Sequence, residues 1–283
     1  MAKPAPLDPR DGVAVVTGAA GGIGAALALQ LAARGCHLAL ADVKAAGLDA
    51  TAAQARALGV KVSTVVLDMA LPASATALLA HVQAEHGRAT LLVNNAGVAV
   101  GGNFGQVAEA DFDWLMSINF GAVVRTTRLF MPLLARAPAA QIVNLSSIFG
   151  IIAPPGQTAY SASKFAVRGF SEALRHELEA AGSSVRVTVA HPGGVRTGIA
   201  ENARLPAGVS EDELRTNRAM WARALKLSPE IAAETILRAA LAREPRVLVG
   251  QDAIGAAWIQ RLFPIGYWKI IARKLARDLR GPG

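Results

Sequence analysis

The chain has 283 residues, a formal net charge of +8 and one cysteine, and 52% of its residues are hydrophobic. That length can bury a sizeable core in one domain. The lone Cys36 excludes an intrachain disulfide and fits a reducing cytosol. With no apolar run of about 18 residues, no spanning helix is expected. The N-terminus also lacks a signal peptide's long apolar run, so a cytoplasmic location is expected.

Residues 1–10 are rich in proline and read as a loose arm. Val13-Ala14-Val15-Val16 is a short β-branched run that reads as a buried strand. It runs into Thr17-Gly18-Ala19-Ala20-Gly21-Gly22-Ile23-Gly24, followed by an alanine- and leucine-rich helix to about Arg34. Strand, glycine turn and helix make the first half of a dinucleotide-binding unit. Its glycines serve a tight turn, close backbone approach to a pyrophosphate, and close helix–strand packing. The helix N-terminus adds unpaired N–H groups and the positive end of a dipole.

The next strand, 37–42, ends in Asp42, eighteen residues after Gly24. An acid at about this distance commonly accepts from the adenosine ribose hydroxyls and repels a 2′-phosphate. NAD is therefore expected in preference to NADP. Lys44 is counter-evidence, since it could reach a phosphate, and Asp42 could instead cap a helix beginning near Lys44. Further strands are expected at 63–67, 91–94, 141–145, 185–190 and 246–249, with helical stretches between them. Alternation of this kind predicts an α/β fold: a doubly wound parallel sheet, Rossmann-like, in three αβα layers.

Chemistry concentrates around Tyr160 and Lys164, four residues apart, with Ser147 thirteen residues upstream of the tyrosine. If this segment is helical, both side chains share a face. A cation beside a phenol favours the phenolate, so Lys164 is expected to lower the Tyr160 pKa. A more acidic phenol can exchange a proton with an alcohol or ketone near neutral pH. No metal is expected.

With these residues in hand, the chain resembles the short-chain dehydrogenase/reductase family over about residues 11–250. Gly18, Gly22, Ile23 and Gly24 match its cofactor turn, and Asn94-Asn95-Ala96-Gly97 its motif after the fourth strand. Asn119, Ser147, Tyr160 and Lys164 match its catalytic tetrad. Pro192, Gly193, Val195 and Thr197 match the segment that contacts the nicotinamide carboxamide, and Asp68 the acid that meets the adenine ring. The resemblance implies that Lys164 also binds the nicotinamide ribose and that Asn119 supports a water linking Lys164 to solvent. Asn95, Ala96 and Gly97 are implied cofactor contacts. Ser146 adjoins Ser147, and the family spacing favours Ser147 as the active serine. A homo-oligomer, dimer or tetramer, is implied through helices near 111–136 and 157–181.

The resemblance places a variable substrate lid at about 199–228, inside a catalytic domain of 11–253. Leu205, Pro206, Val209, Leu214, Met220, Trp221, Leu225 and Leu227 lie in it, beside Arg204, Arg215, Arg218 and Arg223. With Ile148, Phe149, Ile151 and Ile152 upstream of Tyr160, they predict a hydrophobic secondary alcohol or ketone as substrate. An NADP-dependent carbonyl reductase is the alternative within this chemistry. A non-catalytic cofactor sensor is the alternative outside it. The tail, 254–283, interleaves Arg261, Lys269, Arg273, Lys274, Arg277 and Arg280 with Trp258, Phe263, Ile265, Tyr267 and Trp268. Trp268, Ile271, Leu275 and Leu279 recur at helical spacing in a basic amphipathic helix. Such a helix either covers the substrate pocket, packs on a second subunit or meets a membrane surface. The tail carries no nucleic-acid reader motif, so no nucleic-acid partner is expected.

Overall fold

The computed structural model describes residues 4–206 and 225–280; for 274–280 only the helical backbone is described. Its centre is a seven-stranded sheet: β1 (Val13–Thr17), β2 (His37–Asp42), β3 (Val62–Val66), β4 (Leu91–Asn94), β5 (Ala140–Leu145), β6 (Val185–Pro192) and β7 (Arg246–Val249). Their spatial order is β3-β2-β1-β4-β5-β6-β7, and every pairing is parallel. The order reverses between β1 and β4. In such sheets the crevice for a ligand opens at this reversal, beyond the carboxyl ends of the strands.

Helices cover both faces: α1 (Gly22–Ala32), α2 (Ala45–Arg56), α3 (Pro72–His86), α4 (Glu109–Met116), α5 (Ala122–Leu134) and α6 (Thr158–Ala180). Among the described residues three more follow, Pro229–Leu241, Gln251–Leu262 and Tyr267–Arg280. Successive strand residues point to opposite faces. Ala14, Val16, Leu38 and Leu40 therefore join Leu27, Leu31 and Ile236 in one core, while Val15, Ala39 and Ala41 join Leu78, Phe130 and Leu134 in the other. Because both faces are buried, these strands read as nearly unbroken apolar runs.

A polar network crosses this apolar layer near the strand ends. Asn94 Nδ2 donates to Asn144 Oδ1 (2.8 Å) and to Thr127 Oγ1 (3.1 Å). Thr126 Oγ1 donates to Asn94 Oδ1 (2.6 Å), and Asn144 Nδ2 to Ser171 Oγ (2.9 Å). These buried groups satisfy one another, as burial demands. They tie β4 and β5 to α5 and α6.

The strands lie within a residue or two of their expected positions. β3 begins one residue earlier, and β6 runs on to Pro192, paired with Val249. The helix expected over 111–136 is interrupted by a π turn, Ser117–Gly121. The stretch expected to be a loose arm is tethered: Leu7 is buried, and its N–H donates to the Leu241 carbonyl at the end of Pro229–Leu241 (2.8 Å). An apolar side chain seven residues into the sequence found a core site that its proline-rich context concealed.

Candidate active site

The glycine turn leaves β1 with Gly18 at φ +68° and Gly22 at φ +55°, backbone states that side chains rarely adopt. A Cβ at Gly24 would overlap the Gly18 carbonyl oxygen and Asn95 Nδ2. The N-terminus of α1 has no side-chain cap and no acid in its first turn. Its leading N–H groups therefore remain open to an anion. Asn95 braces the turn from the end of β4: Nδ2 donates to the Thr17 and Gly18 carbonyls (3.0 and 2.9 Å). The N–H groups of Asn95 and Ala96 both donate to Thr17 Oγ1 (3.1 Å each). So Asn95 holds the cradle through its side chain.

Asp42 stands at the end of β2, with its carboxylate aimed back at the turn. Oδ2 accepts from the Ala20 N–H and Oδ1 from the Lys44 N–H, both at 2.9 Å. Lys44 occupies the cap position of α2 and no side chain caps that helix, so Asp42 orients the turn rather than capping α2. A carboxylate offers about four acceptor positions, which leaves two for hydroxyls. Asp68 lies exposed just beyond β3, where it accepts from the Ala70 N–H (2.9 Å).

The tetrad residues meet in one corner. Ser147 follows β5, and Tyr160 and Lys164 lie in the first turns of α6. The hydroxyl of Ser147 faces that of Tyr160 and accepts from the Phe149 N–H (3.1 Å). Ser146, its neighbour, points away and donates to the Lys164 carbonyl (2.8 Å). Lys164 is buried; its Nζ donates to the Leu145 carbonyl (3.0 Å) and sits 5.5 Å from the Tyr160 ring centre. Asn119 lies in the π turn, a distortion often found at functional sites. Its Oδ1 accepts from the Val98 N–H (2.8 Å), and its Nδ2 donates to the Val98 carbonyl (3.0 Å) and Ser163 Oγ (3.1 Å). Its side chain thus pins the loop after β4 to α6. Gly97 lies against both: a Cβ there would be 3.4 Å from Asn119 Oδ1 and 3.5 Å from Lys164 Nζ.

The expectation that Lys164 depresses the Tyr160 pKa is reversed here. Burial pushes the phenol up to about 12, with the Ser147 hydrogen bond only partly offsetting it, and burial lowers Lys164 to about 8. The ammonium is aimed at the Leu145 carbonyl, and a dry corner penalises both charged forms.

The segment after β6 closes the far side of the crevice. A Cβ at Gly22 would lie 3.0 Å from Thr197 Cγ2, so 192–197 and the glycine turn face each other directly. Val195 is buried and bridges to Leu227. Sequence reasoning missed Asp252, in the first turn of Gln251–Leu262, whose Oδ2 accepts from the Gly194 N–H (2.6 Å). Its carboxylate fills the space a Cβ on Gly193 would need. An acid opening a helix straight after β7 was the available signal. His191 was missed too. It is buried on β6, its Nδ1 bonds the Ser147 carbonyl (2.9 Å), and burial lowers its pKa to about 4, so it stays neutral and donates. Polar residues inside apolar strands, as in His191 and Asn144, were its signal.

Of the expected lid, the described part packs on the loop after β4: Val100 bridges to Arg204, which pairs with Asp111 (2.8 Å) and stacks on Trp114 at 3.5 Å. Val209, Leu214, Arg215, Arg218, Met220, Trp221 and Arg223 lie outside the described residues. The apolar wall is formed: Ile148, Ile151 and Ile152 are buried with Ala253, and Phe149 meets Tyr160 edge-on at 6.0 Å. The back of this wall is covered by Tyr267 and Ile271 of the tail, and Tyr267 Oη accepts from the Ala153 N–H (3.0 Å). The side chains of Leu275 and Leu279 lie outside the described residues.

A family model for short chain dehydrogenases matches residues 12–207. SadH of Mycobacterium tuberculosis, provisionally named an oxidoreductase, is 42% identical over 269 residues, which cover 94% of this chain and 95% of SadH. A short-chain dehydrogenase/reductase from Burkholderia phymatum, solved with NAD, superposes with a TM-score of 0.84 at 32% identity, covering 90% of this chain and 94% of its own. A metagenomic short-chain oxidoreductase solved with NADP superposes with a TM-score of 0.69 at 28% identity, covering 86% and 98%.

Two outcomes follow from this geometry. In the unliganded protein, lowering Lys164 to about 8 leaves the folded state with fewer protons than the unfolded chain between about pH 8 and 10.4. This group's contribution to stability therefore rises with pH across that window, against the opposite slope of Cys36, whose thiol burial pushes up to about 12. Lys164→Met lacks the rise and is more stable at pH 7 by on the order of 2 kcal/mol, after allowing for the lost hydrogen bond. Urea unfolding at pH 7 and 9.5 tests this, and equal pH slopes for the two proteins would contradict it. Asp252→Ala frees the Gly194 amide, whose hydrogen exchange rises about tenfold or more. Unchanged exchange would mean that Asp252 does not hold the segment.

Proposed function

The chain belongs to the short-chain dehydrogenase family, and from that premise we propose that it transfers a hydride between NAD and a hydrophobic secondary alcohol or ketone. The assignment rests on one observation: half-buried Tyr160 meets the buried Ser147 hydroxyl and the buried Lys164 ammonium in one corner beside the glycine-lined crevice.

The crevice suits a dinucleotide. Gly18, Gly22 and Gly24 leave room for a pyrophosphate at the uncapped end of α1, and Asp42 keeps acceptor capacity for ribose hydroxyls. When bound, the nicotinamide supplies the hydride or accepts it. The protein's own residues position the substrate and move the proton. The Ser147 hydroxyl accepts from the Phe149 N–H and faces Tyr160, so both hydroxyls are placed to hold one substrate oxygen. Tyr160 exchanges the substrate proton at Oη. Burial keeps the phenol protonated at neutral pH, the form that donates during ketone reduction. Oxidation needs the ionised phenol, so oxidative turnover rises with pH. Lys164 spends one N–H on Leu145 and has two left for a ribose diol and for Tyr160. The apolar residues Ile148, Phe149, Ile151 and Ile152 support a hydrophobic substrate.

Asp42 supports NAD over NADP, because a carboxylate fixed by two backbone N–H groups cannot swing away from a 2′-phosphate. The second reading is an NADP-dependent carbonyl reductase, favoured by the exposed Lys44 beside that carboxylate.

Tyr160→Phe is expected to lower kcat by about 10³-fold while NAD binding changes by less than about threefold. Absorbance at the reduced-nicotinamide band with hydrophobic secondary alcohols, and quenching of protein fluorescence by NAD, measure the two. An active Tyr160→Phe enzyme refutes the proton-transfer role. For the cofactor, kcat/KM with NAD is expected to exceed that with NADP by about tenfold or more, and Asp42→Ala to narrow the ratio. A wild-type preference for NADP would select the second reading.

A further inference from the structure

The two last helices have a used face and a free one. Ala253, Ala256 and Ala257 of Gln251–Leu262, with Tyr267 and Ile271 of the following helix, pack on the wall at 148–152. The opposite side carries Trp258 (59% exposed) and Leu262 (66%), four residues apart on one helical face. The connecting turn presents Phe263 (52%) and Ile265 (96%) at its tip, and Ile270 continues the patch. Large side chains clustered at such exposure are unusual on a protein surface and mark a contact site.

Cations frame the patch. Arg261, Lys269 and Arg273 are exposed, and none pairs with a carboxylate among the described residues. Asp278 is the one acid in the sequence after Asp252. This charge pattern decides what occupies the face. A second copy seated by a two-fold axis through the patch would set Arg261, Lys269 and Arg273 against their own copies. An anionic lipid surface answers both features, since its interfacial zone accepts aromatic and aliphatic side chains while its phosphates attract the cations.

We propose that this helix pair docks the protein on an anionic lipid surface, with Trp258, Leu262, Phe263 and Ile265 entering the interfacial zone and Arg261, Lys269 and Arg273 meeting the phosphates. No segment of the described chain is long and apolar enough to cross a membrane, so the docking is peripheral. It is independent of the reaction assigned above.

The test is co-sedimentation of the full chain with vesicles of phosphatidylcholine, alone or with phosphatidylglycerol as about one third of the lipid. At low salt the protein is expected to pellet about tenfold more with the anionic vesicles, and to be released as salt rises. Phe263→Ser with Ile265→Ser, and separately Lys269→Glu with Arg273→Glu, each lower pelleting about tenfold while circular dichroism stays unchanged. Three results overturn the proposal. In the first the wild type stays in the supernatant, and in the second both double variants pellet like it. In the third, light scattering shows Phe263→Ser with Ile265→Ser breaking a larger oligomer into smaller ones with pelleting unaltered, which makes the face a subunit contact.

Discussion

The junction of Thr17 with Asn95 is the constraint on which the site depends. They stand at the ends of adjacent strands at the reversal of strand order, and Asn95 donates to Thr17 from both its backbone N–H and its side chain. The glycine turn cannot shift without moving the end of β4. That end carries Gly97 and Val98, which lie against Asn119, and Asn119 in turn holds Ser163 next to Lys164. A cradle shaped for phosphates and a corner shaped for proton transfer are thereby one rigid piece. Catalysis of group transfer between two bound molecules needs that rigidity, because small misplacements are costly.

The second feature of the site is how dry it is. Tyr160 and Lys164 are both desolvated, and desolvation disfavours the phenolate and the ammonium alike. The pair therefore holds an electrostatic tension that an apolar residue of similar length in place of the lysine would relieve. Stability given up at a reacting centre is a common trade. His191 and Asp252 support the arrangement from behind, one fixing the Ser147 carbonyl and the other the Gly194 amide. Each anchors a segment beside the proposed reacting corner.

Much of this was legible in the residues. Burial on both sheet faces writes each strand as a short, nearly unbroken apolar run, which explains why the strands could be placed within a residue or two. The glycine turn and the Tyr160–Lys164 spacing are local patterns that survive folding unchanged. Harder to read were the supports. Asn144 and His191 look like isolated polar residues in apolar strands, and only packing brings Asn94, Ser171 and the Ser147 carbonyl to them. Leu7 is similar, an apolar residue in a proline-rich stretch whose partner lies more than two hundred residues away.

By itself the sequence determined the parallel αβα architecture and the order of the motifs, and it pointed to the residues proposed for the reacting centre, because these rest on periodicity and on short-range spacing. Tertiary structure decided the charge state of the centre. Proximity of a lysine to a tyrosine suggests an acidified phenol, but burial raises the phenol while Lys164 Nζ is aimed at the Leu145 carbonyl. It also decided the division of the tail, whose helical spacing shows an apolar stripe without saying which neighbour it meets. Tyr267 and Ile271 turn inward because the wall at 148–152 offers them apolar surface, while Trp258, Phe263 and Ile265 find none and remain outside.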